Sequence, residues 1–218
     1  GYPERVRGLI VLAASPRLST QGLAFNYVAR HSITNDAHFL GGNYYGQKQQ
    51  PDGGLGIARM LGHITYLSET SMARKFGRRL QDRAALGYSF DIEFEVESYL
   101  NYQAQAFSER FDANSYLYIT KAMDYYDAAA RYGDGDLVAA AARAQGEWLV
   151  ASFTSDWLYT PGNCRELVAA LTANGKPVTY VDVESSYGHD AFLLEVETVD
   201  RMVRGFLDSL APLGRHHG

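Results

Sequence analysis

Residues 148–210 alternate between short apolar runs and helical spacing. Trp148–Thr154 (WLVASFT) is a short, continuous apolar run. Asn163–Ala173 carries its apolar residues at helical spacing and stops at Asn174-Gly175, a good helix C-cap. Val178–Val183 (VTYVDV) is a second short run, and Phe192–Leu210 reads as a closing helix. Strand–helix–strand–helix order requires parallel strands joined by crossovers. Runs without polar alternation read as strands covered on both faces. Gly8–Ala14 (GLIVLAA) is a third run of the same kind. The fold class is therefore α/β, and in such sheets the chemistry gathers at the C-terminal strand ends.

Two residues with useful chemistry fall at those ends. Asp156 follows one strand in Thr-Ser-Asp-Trp, and His189 follows the next in Tyr-Gly-His-Asp, 33 residues later. Taken singly, each is ordinary: Asp favours helix caps and turns, and a loop His is more often structural. Together they supply what acyl transfer needs, a base and a carboxylate that fixes its tautomer and stabilises the imidazolium. Gly188 allows the tight turn that would aim the ring. This is the order in which an α/β-hydrolase fold delivers the last two members of a Ser…Asp…His triad. No G-x-S-x-G elbow occurs in the 218 residues.

Between the first strand and the second, the helix signal dominates. Thr20–Ser32, Pro51–Ser68, Phe94–Phe111, Ser115–Tyr126 and Asp136–Ala144 read as helices, with loops at Gly41–Gly46 and Gln47–Gly54. The expected organisation is a core strand in residues 1–15, a helical lid insertion in 16–146, the remaining strands and helices in 147–212, and a disordered tail in 213–218. Many of the 16 Tyr cluster at Tyr99, Tyr102, Tyr116, Tyr118, Tyr125 and Tyr126, which suggests a packed amphipathic layer. Glu93, Glu95 and Glu97 read as solvated or dipole-complementing charges at a helix start.

Composition excludes several classes. A net charge of −5 with no local Lys/Arg cluster gives no nucleic-acid footprint. No apolar run reaches membrane-spanning length. The single Cys164 fits a reducing, cytoplasmic compartment and reads as packing. His31 and His38 lack metal-ligand spacing, and His216 and His217 are terminal. No metal cluster or phosphate-binding loop is expected, and no cofactor is implied. Asp190 reads as a helix N-cap or as an anion for a substrate ammonium. Arg59 lies in a mostly apolar helical turn with Ile57, Met60 and Leu61, which gives it reason to face a cleft and bind a carboxylate. His63, four residues on, reads as structural.

Longer stretches carry a family resemblance. They are GIARMLGHITYLSE (56–69), FEVESYLNYQ (94–103), RFDANSYLY (110–118), AMDYYD (122–127), SDWL (155–158) and YGHDAFLL (187–194). Together they resemble the homoserine O-acetyltransferase family, α/β-hydrolase-fold acyltransferases of methionine biosynthesis, from about Tyr2 to Leu210. The resemblance implies that Asp156 is the triad acid and His189 the base. It implies that Arg59 binds the carboxylate of L-homoserine, that Asp190 binds its amine, and that Tyr66 lies near the same pocket. Acetyl-CoA would be a co-substrate in a ping-pong transfer, and the helical lid would form a homodimer interface. In that family a nucleophile elbow precedes the Tyr-Pro-Glu-Arg-Val segment, so the chain is expected to be the C-terminal part, inactive alone. Tyr159-Thr160-Pro161 departs from a common Phe-Pro-Pro. Alternatives are a succinyl donor, a serine acceptor, or an inactive dimerising fragment. A plain esterase is disfavoured by Arg59 and Asp190.

Overall fold

A computed structural model describes residues 2–210; the tail expected at 213–218 lies outside the described residues. The strands are β1 (Gly8–Leu12), β2 (Glu147–Phe153) and β3 (Val178–Val183). The helices are α1 (Thr20–Thr34), α2 (Asp52–Tyr66), α3 (Glu69–Lys75), α4 (Glu95–Ser108), α5 (Ala113–Tyr125), α6 (Ala128–Gly133), α7 (Leu137–Ala142), α8 (Pro161–Ala173), α9 (Ala191–Leu194) and α10 (Val196–Ser209). They form two compact units. One comprises residues 1–17 and 127–218, the other residues 18–126. Among the described residues no helix is long and apolar enough to cross a membrane.

The first unit is an α/β layer structure. Its three strands lie in the order β1-β2-β3, all parallel, with Gly8 opposite Glu147 and Phe153 opposite Val183. The two faces of β2 serve two cores, because side chains alternate along a strand. Trp148 and Val150 pack with Cys164, Leu171 and Tyr180 on one side. Phe153 packs with Val183, Ala191, Phe192 and Met202 on the other. Coverage on both faces explains the continuous apolar run. Gly146, which turns the chain into β2, has φ +81, and a Cβ there would lie 2.5 Å from the Arg7 carbonyl oxygen. The position therefore requires glycine on two grounds.

Helix α8 begins with local sequence logic. Pro161 occupies its first turn, and Asn163 Oδ1 accepts hydrogen bonds from the Thr160 N–H and hydroxyl. It ends as the Asn-Gly pair indicates. Gly175 takes φ +63, its N–H donates to the Thr172 carbonyl, and the Lys176 N–H donates to the Leu171 carbonyl. The expected closing helix is broken in two. Glu195, at ψ 52, separates α9 from α10, a kink that the apolar periodicity does not announce. The short α6 was not legible either; Asp127 caps it through the N–H groups of Ala129 and Ala130.

The second unit is helical. Its core joins Ala29, Ile33, Tyr44, Leu55, Ala58 and Ala113, with Phe107, Tyr116 and Leu117 packed against it. Helices α1 and α2 approach through Gly54, where a Cβ would sit 2.4 Å from the Ser32 carbonyl oxygen. Ser32 Oγ donates to the Gly54 carbonyl, and the Gly54 N–H donates to Asp36. Buried Tyr44 donates to Asp112, whose other oxygen caps α5 through the Ser115 N–H. Arg30 pairs with Asp124, which also accepts from Asn26 Nδ2. Helix α3, absent from the sequence reading, is capped by the Ser68 hydroxyl.

Two sequence expectations change here. Glu93 is not a solvated charge: it is 8% exposed. Its carboxylate gathers Arg83 Nη1 and the N–H groups of Gly87 and Ser89, organising the loop before α4. Glu97 accepts from the N–H groups of Phe94 and then Glu93, which holds its pKa below the ordinary carboxylate value. The tyrosine-rich region is only partly a packed layer. Tyr102, Tyr118 and Tyr125 are exposed, while Tyr116 joins the core.

Candidate active site

Asp156 and His189 meet as the sequence expects. Asp156 lies just beyond β2 and is buried; its Oδ2 accepts a hydrogen bond from His189 Nδ1 at 2.8 Å. A carboxylate can only accept, so Nδ1 carries the proton, and Nε2 is the ring nitrogen that exchanges protons with a reacting group. The other oxygen, Oδ1, accepts from the N–H groups of Leu158 and Tyr159 at 2.9 and 2.8 Å. One oxygen of Asp156 thus closes the turn after β2 and the other faces the imidazole.

His189 sits in a 3-10 turn, Gly188–Asp190, immediately after the loop that follows β3. Gly188 takes φ +76 there. The imidazole is bracketed by Tyr159, with ring centroids 5.1 Å apart, and by Phe192 at 5.5 Å in an edge-on arrangement. These rings leave the imidazole little room to rotate. Sequence reasoning did not assign them this role, although each lies three residues from a member of the pair. Asp190 stands at the N-cap position of α9 but makes no side-chain cap hydrogen bond there.

The helical unit holds the other two expected residues. Arg59 lies on α2 with its guanidinium carbon 5.0 Å from the centre of the Phe107 ring. Its Nε is buried without a hydrogen-bond partner, and no carboxylate pairs with it among the described residues. A guanidinium with a buried Nε that stacks on an aromatic face but lacks an acid has unused capacity for an anion. Tyr66 is the last residue of α2, and its ring lies 3.8 Å from the point where a Cβ on Gly62 would be.

His63, one turn beyond Arg59, makes a 3.3 Å contact from Nδ1 to the Tyr99 hydroxyl, while its Nε2 is buried without a partner. Burial first, and the Arg59 charge second, push its pKa down to about 4. Burial raises Tyr116 to about 12 and the Cys164 thiol to about 11. Cys164 donates to the Ala14 carbonyl and packs between β2 and α8, in keeping with a structural thiol. Among the described residues, no group of three or more His, Cys, Asp or Glu could hold a metal ion.

A parallel sheet with an acid after one strand and its histidine after the next defines part of an α/β-hydrolase fold. Solved structures agree on that fold. Homoserine O-acetyltransferase from Bacillus anthracis matches with a TM-score of 0.86 and 22% identity, covering 97% of this chain and 56% of that one. An acetylester hydrolase from Corynebacterium glutamicum matches with 0.72 and 19% identity, over 96% of this chain and 55% of that one. No protein-family model matches the chain. Curated relatives are much nearer in sequence. Homoserine O-succinyltransferase from Cupriavidus pinatubonensis is 52% identical over 210 residues, 96% of this chain and 53% of the relative. The protein of the same name from Nitrosomonas eutropha is 52% identical over 209 residues, 96% of this chain and 55% of the relative. Over the residues it spans, the chain matches the homoserine O-acyltransferases, as its motifs indicate; it spans about half the length of these relatives.

Proposed function

We propose that this chain carries the acid, the base and part of the acceptor site of a homoserine O-acyltransferase. The carrying observation is the closed Asp156–His189 pair, within a chain about half identical to relatives of that name. In the proposed cycle a serine hydroxyl, borne on the portion of the relatives that this chain does not match, loses its proton to His189 Nε2. Its oxygen attacks the thioester carbonyl of an acyl-CoA, the C–S bond breaks, and the thiolate takes the proton as CoA leaves. The hydroxyl of L-homoserine then loses its proton to His189 and attacks the acyl-enzyme carbonyl, the bond to the serine oxygen breaks, and that oxygen takes the proton back as the O-acyl product leaves. Asp156 stabilises the imidazolium in both halves.

From the family resemblance, Arg59, with no acid of its own, takes the acceptor's carboxylate, Asp190 is assigned its ammonium, and Tyr66 is assigned a place near the homoserine pocket. The acyl donor is a co-substrate, and no bound cofactor is required. The names of the relatives favour succinyl-CoA over the acetyl-CoA suggested by the motifs. This reading places the protein in methionine biosynthesis in the cytoplasm, as a homodimer through its helical unit, with neither nucleic acid nor membrane as partner. The competing reading, a catalytically silent dimerising piece, predicts no turnover in any context.

One experiment separates these readings. The matching half of the Cupriavidus pinatubonensis relative is replaced by this chain, and CoA release is followed with acetyl-CoA or succinyl-CoA and with homoserine or serine. Succinyl-CoA and homoserine should give the highest kcat/KM. A well-folded chimera without turnover on any pair would overturn the proposal. The 218 residues alone, which contain no elbow serine, should release no CoA above background.

A further inference from the structure

Beyond the last residue pair of the sheet, the loops that carry acid and base remain joined rung by rung. The Thr154 N–H donates to the Val183 carbonyl at 2.9 Å. Thr154 Oγ1 donates to the Ser185 carbonyl at 3.2 Å and accepts from the Ser185 N–H at 3.1 Å. The Gly188 N–H donates to Ser155 Oγ at 2.9 Å, and His189 Nδ1 donates to Asp156 at 2.8 Å. Three consecutive side chains of one loop thus each reach the other loop.

The middle rung bears most directly on the base. Gly188 is buried, so its N–H needs a protein partner, and the Ser155 hydroxyl provides it. Its φ of +76 is open to glycine at little cost, but glycine's freedom means that its own backbone does not hold that conformation. Gly188 immediately precedes His189, so a rotation of its peptide would swing the imidazole away from Asp156. We propose that Ser155 is a positioning residue for the base: its hydroxyl pins the Gly188 peptide and so holds His189 in register with its acid. The proposal rests on reading Asp156 and His189 as acid and base. Ser155 itself acts through Gly188 and need not touch the reacting atoms.

The test uses this chain, with its histidine rings labelled with nitrogen-15, and reads three signals by NMR: the His189 Nδ1–H resonance, the ring nitrogen shifts that report the tautomer, and exchange at the Gly188 amide. In the parent chain one tautomer should be seen, with a slowly exchanging Nδ1–H. In Ser155→Ala the Nδ1–H signal should broaden or vanish, the shifts should move toward a tautomer average, and Gly188 exchange should rise at least about tenfold. Ser155→Thr, which keeps the hydroxyl, should restore all three. If the Ala variant loses its cooperative melting, Ser155→Cys, similar in size and a weak acceptor, is read in its place. The proposal is overturned if the Ala variant, or Cys as its substitute, keeps the Nδ1–H signal with Gly188 exchange within about twofold of the parent. It is equally overturned if Thr fails to restore what Ala removes. These signals report how His189 is held whatever reaction it serves, so failure of the acyltransferase reading would leave this result standing. In the chimera, Ser155→Ala should lower kcat by up to about 100-fold with acceptor KM unchanged.

Discussion

The loops that carry Asp156 and His189 and the helix that carries Arg59 treat their polar groups in opposite ways. In the strand unit, both Asp156 oxygens are occupied, Nδ1 of His189 has its acceptor, and the ring is bracketed by Tyr159 and Phe192. In the helical unit, α2 carries two buried nitrogens without partners, Arg59 Nε and His63 Nε2, one turn apart. Buried polar groups are normally satisfied, and each exception calls for an explanation. The contrast separates two kinds of preparation. A base must be oriented before any substrate arrives, so its partners are internal. Under the proposed function, Arg59 keeps its hydrogen bonds unspent until a charged acceptor brings the other half. Four substitutions can break or sharpen this contrast.

The largest effect should come from the satisfied pair. Asp156→Asn in the chimera should lower kcat by about 10⁴, because the amide lets the imidazole settle in the wrong tautomer. Steady-state CoA release measures this, and retention of most of the rate would remove Asp156 from its role.

Next comes Arg59→Ala, expected to raise the acceptor KM about 10- to 100-fold, the worth of a charged hydrogen bond. The CoA burst formed without acceptor should be unchanged, since the first half-reaction contains no acceptor carboxylate. Equal damage to both half-reactions would make Arg59 structural and dissolve the contrast.

Gly54→Ala tests whether α1 holds α2 in place. The added Cβ would meet the Ser32 carbonyl, so the backbone must shift, at a cost of about 1–3 kcal/mol in chemical denaturation. A neutral result would mean that the two helices separate freely.

The smallest effect is the pH response of His63. Its folded pKa of about 4 lies below its ordinary 6.5. Between those values the unfolded chain binds a proton that the folded chain refuses, so stability falls as pH drops through that window. His63→Gln should flatten this acid limb, read as the difference in urea midpoint between pH 7 and pH 4.5. An NMR titration midpoint near 6.5 would show that the imidazole is wetter than its surroundings suggest.

What the sequence disclosed follows from the range of the forces involved. The strands, α8 with its Asn-Gly end, and the Asp156–His189 pair were legible because continuous apolar runs, turn residues and strand-end spacing are local signals. The kink at Glu195 and the short α6 depend on packing that no periodicity encodes. Glu93 was misread because Glu-x-Glu-x-Glu looks solvated, whereas its burial depends on a loop folding back across it. Arg59 was read as cleft-facing but not as partnerless, since the lack of an acid nearby is a property of the folded unit. Helix α3 could have been found: Ser68 followed by Glu69 is a capping signal that the longer α2 pattern obscured.

The division of Asp156 between turn and imidazole also restricts which residues could ever replace it. A glutamate would conserve the charge, but its extra methylene would carry the carboxylate past the Leu158 and Tyr159 N–H groups or past His189. An asparagine would conserve the turn and lose the acid. Neither swap keeps both functions, so no single-step neighbour of this aspartate is interchangeable with it. Relocating the acid would require rebuilding the loop from Trp157 to Thr160 at the same time. That coupling makes the position a poor place for gradual drift, and it means that comparing the Glu and Asn variants would measure the two functions separately.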